Sequence, residues 1–140
     1  MGGRGYKNDV DGYLIGTRRT VEFKAAYKTE DGKIDILYDI LSPKTPTIPI
    51  FSNTANKIYA LIGKRRTIKS IGFYDETHRL TKVIHLNHKH KSFCGHHVHI
   101  GDSYHHDINT TRNLNMEERQ ITEHIIQLWK EKGGAYHAQH

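Results

Sequence analysis

The sequence predicts an α+β domain: an antiparallel sheet built from two hairpin systems, one short helix in the middle of the chain and one packing helix at the C-terminal end. Three observations carry that expectation. Short runs of alternating, β-branched and aromatic residues flank Thr29-Glu30-Asp31-Gly32, and others flank the polar stretch Asp75–Arg79, as strands flank their turns. Ile121, Ile125, Leu128 and Trp129 recur at the i, i+4, i+7, i+8 spacing of one helix face. The chain has 140 residues, enough to bury one core without disulfides or a structural metal. Residues 1–140 are therefore expected to form a single domain.

Thr20–Tyr27 and Lys33–Leu41 are the first two expected strands, with Asp31-Gly32 between them as a strong hairpin-turn signal. Pro43, Pro46 and Pro49 then interrupt the pattern, so Ser42–Pro49 reads as a loop or an irregular edge segment. In NTANKIYALIGKRR, the spacing of Ala55, Ile58, Tyr59 and Ile62 predicts a short helix, capped by Asn53 and stopped by Gly63. Thr67–Tyr74 and Leu80–His88 form the second expected hairpin, and His97–Ile100 a third, shorter strand. Asn115 followed by Glu118 resembles a capping box opening the C-terminal helix, whose apolar stripe is core and whose stop is Gly133-Gly134. The ends, Met1–Tyr6 and Ala135–His140, are expected to be frayed and disordered.

Composition narrows the function classes. Cys94 is the single cysteine, which excludes an intrachain disulfide and zinc sites needing two or four cysteines, and suits a reducing cytoplasm. The first residues, MGGRGYKNDVDG, lack the apolar stretch of a signal peptide, and no apolar run approaches the roughly 20 residues of a spanning helix. A cytoplasmic protein without a membrane partner is the expectation. The formal net charge is +6, and its placement matters more than its size. Between Lys64 and Lys91 stand Lys64, Arg65, Arg66, Lys69, Arg79, Lys82, Lys89 and Lys91 against Asp75 and Glu76 alone, so this stretch holds the whole excess. A polyanion is the partner such a field attracts, although a basic run is equally often a solvated face.

Eight of the twelve histidines, His85, His88, His90, His96, His97, His99, His105 and His106, crowd into residues 85–107. No packing requirement calls for that density, and imidazole can accept a proton, donate one, or bind a metal near neutral pH. Strand alternation sorts the cluster. With Ile84 and Leu86 facing the core, His88 and His90 share their face if the strand runs on, while His85 joins Val83 on the other. On the next segment His97 and His99 share a face. A turn through Ser92–Gly95 would bring the pairs His88/His90 and His97/His99 together, with His105, His106 and Asp107 arriving from the following loop.

Two chemistries fit this set. In one, a neutral imidazole takes the proton of an attacking hydroxyl and a protonated one gives a proton to the leaving oxygen, while cations steady the phosphate. RNA suits this route because its 2′-hydroxyl is an internal nucleophile. In the other, His97 and His99 with His106 or Asp107 bind a divalent ion that activates water or polarises a phosphoryl oxygen. His85 alone reads as a hydrogen-bonded structural histidine. Cys94 reads as a spacer in a turn, and Tyr74 and Tyr104 either stack on bases or are half-buried fold residues.

The run Ile71–Glu76, then Arg79–His85, then His88-Lys89-His90 and His97-Val98-His99, resembles the histidine-rich C-terminal nuclease-like modules of phage head-associated proteins and bacterial polymorphic toxins. The resemblance spans approximately Ile68–Lys132. It implies a site of His88, His90, His97 and His99 with Lys82 beside it. This chain departs in carrying His96 where those modules have proline, and in adding His105-His106-Asp107. The resulting expectation is a ribonuclease-like phosphodiesterase acting on RNA in preference to DNA. His88, His90, His97 and His99 would take acid/base or ligand roles, and Lys64, Arg65, Arg66, Lys69 and Lys82 would lie on the phosphate backbone. Two rivals stand beside it: a non-catalytic phage or mobile-element protein that binds nucleic acid or a host or immunity protein, and a histidine-rich metal-binding domain.

Overall fold

In a computed structural model, residues 23–40, 46–86, 97–100 and 111–138 are described. They form a sheet whose strand order follows the chain: β1 (Phe23–Lys28), β2 (Ile34–Asp39), β3 (Ile58–Ile62), β4 (Ile68–Tyr74), β5 (Leu80–His85), β6 (His97–Ile100) and β7 (Thr111–Arg112). One helix, α1 (Met116–Ala138), lies on one face. Neighbouring strands are antiparallel except β2 and β3, which run parallel with Ile34 beside Ile58 and Leu37 beside Leu61. The α+β class holds. β1–β2 and β4–β5 pair as hairpins, but β3 stands between them, so there is one continuous sheet and not two hairpin systems.

The expected middle helix is absent, because Ile58–Ile62 is strand β3. Its apolar residues fit either period, and burial on both faces decides between them. Ala60 and Ile62 pack toward α1, while Tyr59 and Leu61 join the opposite core with Leu37, Tyr74 and Val83. Only the centre of a sheet demands that pattern. Asn53 caps no helix, and its N–H donates to the Tyr59 hydroxyl at 3.0 Å. Gly63 opens the turn to β4, with its N–H bonded to the Thr67 carbonyl at 2.8 Å.

A parallel neighbour requires a crossover, and part of that connection covers the face opposite α1. Ile48 packs there against Leu80, Tyr74 donates its hydroxyl to the Pro49 carbonyl, and the Leu80 N–H donates to the Ile50 carbonyl at 3.0 Å. Gly72 in β4 admits this segment, since a Cβ there would meet Ile48 Cγ1 at 2.9 Å. Tyr74 is thus a core residue, edge-on to Tyr59 at 4.9 Å, and not a platform for bases.

The capping box forms as the spacing requires. The Glu118 N–H donates to Asn115 Oδ1 at 2.8 Å, and the Asn115 N–H donates to Glu118 Oε1 at 2.9 Å. Glu118 is 2 % exposed and also receives Arg112 in a two-pronged pair at 2.8 Å and Lys82 Nζ at 2.7 Å. One carboxylate thus ties the helix start to β5 and β7. Hydrogen bonds from Arg112, with those from Lys82 and the backbone, pull its pKa down to about 2 despite burial.

At the other end, α1 does not stop at Gly133-Gly134 but continues to Ala138, so the expected frayed end at residue 135 is helical as far as that residue. Gly133 serves packing: a Cβ there would lie 2.6 Å from the Trp129 ring, whose Nε1 donates to the Arg66 carbonyl at 2.9 Å. Met1–Tyr6 lie outside the described residues. Among the described residues no helix is long and apolar enough to cross a membrane.

Two outcomes follow from this packing. Gly133→Ala should lower stability by about 1–3 kcal/mol in urea unfolding, because ring displacement outweighs the gain in helix propensity of about 1 kcal/mol. Glu118 has a depressed pKa, so its stabilisation is present above the unfolded value near 4.5 and fades as pH falls toward about 2. Wild type should lose about 2–3 kcal/mol over that window from this group, discounted for its partly exposed partners. Glu118→Gln should be less stable at neutral pH and show a flatter acid limb, as read from unfolding free energies between those pH values.

Candidate functional site

At the centre of the helix-facing surface of β5 and β6, Ile84 pairs with Val98, and both pack into the core with Ile125 and Trp129. Alternation then puts Val83, His85, His97 and His99 on the opposite face. In this register His85 lies across from His97, and Val83 across from His99. The three imidazoles meet ring against ring. His85 and His97 stack with centroids 5.6 Å apart at 23°, His85 and His99 meet edge-on at 4.7 Å and 86°, and His97 and His99 at 5.0 Å and 76°.

This is a different grouping from the one that parity along a single strand suggests. His97 and His99 do share a face, and among the described residues the histidine that joins them is His85, which reads from the sequence as a lone structural residue. The signal was present: matching apolar Val98 to apolar Ile84 across the pair sets His85 opposite His97. His88, His90, His106 and Asp107 lie outside the described residues, as do Cys94, His96, Tyr104 and His105. Among the described residues no group of three or more His, Cys, Asp or Glu side chains is arranged to hold a metal ion.

The expected phosphate-contacting cations fall into two groups. Lys64 and Arg65 are exposed on the β3–β4 turn, which closes through the Arg66 N–H to the Gly63 carbonyl at 3.0 Å. Arg66 adopts a φ of 63°, and its carbonyl receives Trp129. Lys69 follows in β4, exposed to solvent, with its Nζ donating to the Pro46 carbonyl at 2.6 Å.

This turn belongs to the same sheet end as the imidazoles. β4 leaves the turn, β5 finishes beside its start with the Leu86 N–H donating to the Lys69 carbonyl at 3.0 Å, and β6 begins at His97. Ser70, buried, pairs directly with His85. Lys82 belongs elsewhere. It sits on the helix face, bound to Glu118 and 4.8 Å from the centre of the Phe73 ring, on the other side of the sheet from the histidines.

Chemically, the arrangement offers adjacent imidazoles able to exchange protons, and a cationic turn at the same end able to draw a phosphate chain toward them. No protein-family profile, curated protein or solved structure matches this chain.

Proposed function

We propose that the chain cleaves phosphodiester bonds in nucleic acid, RNA before DNA, at the sheet end where His85, His97 and His99 meet beside the basic turn. The observation that carries this reading is the ring contact of three imidazoles on one face, at 4.7–5.6 Å, at the end of the sheet that also bears Lys64, Arg65 and Lys69. Imidazoles supply acid and base at neutral pH, and RNA brings its own nucleophile, so this set needs only a positioned phosphate. The sequence resemblance to nuclease-like modules of phage head-associated proteins and polymorphic toxins points the same way. In this reading Lys64, Arg65, Arg66 and Lys69 hold the backbone, and His88 and His90 remain candidates for the same site. The exclusion of Lys82 follows from its commitment to Glu118.

A second reading has one observation in its favour. His97 and His99 are 0 % and 1 % exposed, as residues that pack a fold are, and a protein that binds nucleic acid without cleaving it would keep them so. Incubation of untagged protein with end-labelled single-stranded RNA and DNA separates the two. Cleavage predicts shortened RNA ending in a 2′,3′-cyclic phosphate, and a loss of about 10²–10⁴-fold in His85→Ala with melting temperature and RNA binding retained. Intact RNA with undiminished binding favours the second reading.

The cationic turn is tested separately. Charge reversal in Lys64→Glu with Arg65→Glu should weaken RNA binding and reduce the slope of log K against log[salt] by about 2, one for each phosphate no longer neutralised. An unchanged slope would remove the turn from the interface.

A further inference from the structure

We infer that His85 is the imidazole that faces the nucleic acid, and that His97 and His99 are positioning residues behind it. The inference rests on the phosphodiesterase reading and assigns roles within its site. His97 and His99 are 0 % and 1 % exposed, whereas His85 is only partly buried. A ring sealed from solvent cannot touch a polymer, so proton exchange with an RNA hydroxyl falls to the accessible member.

Strand order supports the same assignment. The basic turn feeds β4, His85 sits on the adjacent strand opposite Ser70, and His97 and His99 are one strand further away. With strands about 4.8 Å apart, a phosphate held at the turn reaches His85 before either buried ring. Meanwhile His97 stacks along His85 and His99 abuts it at a right angle. Contacts from two directions limit rotation of the His85 ring, which is how a reacting group is held in a productive orientation.

The step this permits is balanced with one imidazole. His85 takes the 2′-hydroxyl proton as that oxygen bonds to phosphorus. The bond from phosphorus to the 5′-oxygen breaks, and the proton passes from His85 to the departing oxygen. The products are a 2′,3′-cyclic phosphate and a 5′-hydroxyl, and the imidazole ends as it began.

Diethylpyrocarbonate labelling with peptide mapping tests the orientation without relying on cleavage. The probe is a 2′-O-methyl oligoribonucleotide, which binds but cannot react. His85 should be labelled readily, as the exposed His124 is, while His97 and His99 label far more slowly; the oligonucleotide should protect His85 and leave His124 unaffected. His85 labelling as slowly as His97, or labelling equally with and without the oligonucleotide, overturns the inference. Protection of His85 in a protein that leaves ordinary RNA intact would instead sink the cleavage reading and keep the orientation.

Roles are then read from variants whose melting temperatures are measured. His85→Ala should lose about 10²–10⁴-fold in cleavage and recover part of it with added imidazole. His97→Asn should lower kcat at constant KM without recovery. Recovery by imidazole in His97→Asn but not in His85→Ala would reverse the assignment.

Discussion

The pairing of Ile84 with Val98 beneath α1 is the constraint on which the arrangement of this protein depends. These two side chains must face the helix to leave water, and a β-strand offers no intermediate orientation. A slip of one residue in the β5–β6 register would turn His97 and His99 into the helix core and carry Val98 to the opposite face. The apolar requirement on one face therefore chooses which polar residues meet on the other. The histidine cluster is a consequence of hydrophobic register before it is a chemical device.

One carboxylate ties the start of the helix to the same sheet. Glu118 completes the capping box of α1 and accepts both Lys82 and Arg112, so the helix start, β5 and β7 share a single buried acceptor. Burying that charge would be costly without its full set of donors, and the set is drawn from two separated parts of the chain, Lys82 and the segment from Arg112 to Asn115. This explains why Lys82, although part of a basic stretch, is not available to a phosphate. At the other end of α1, Trp129 bonds to Arg66 and closes over Gly133, so the helix grips the sheet at the turn that carries the exposed cations. Stability and the basic surface are thus coupled through a single turn.

Much of the fold was legible from residues alone. Asp31-Gly32 marked the first hairpin, where Gly32 adopts a φ of 74°, and Asn115 with Glu118 marked the helix start. The parity of Val83, His85, His97 and His99 was also readable. What misled was the run around β3, whose apolar spacing satisfies a helix and a strand equally, and the glycine pair, which reads as a stop although Gly133 serves as a recess for Trp129. Both errors have one origin: a residue's local period does not say what will be packed against it.

By itself, then, the sequence determined the α+β class, the strands around both polar turns, the capped helix and the sharing of one face by His97 and His99. Those features rest on interactions between residues close in the chain, where spacing and turn chemistry suffice. The tertiary structure alone decided that β3 is a central strand parallel to β2, that the His85 ring meets those of His97 and His99, and that Lys82 is bound to Glu118. Each of these depends on which strand or helix becomes a neighbour, and that choice is made by burial summed over the whole core.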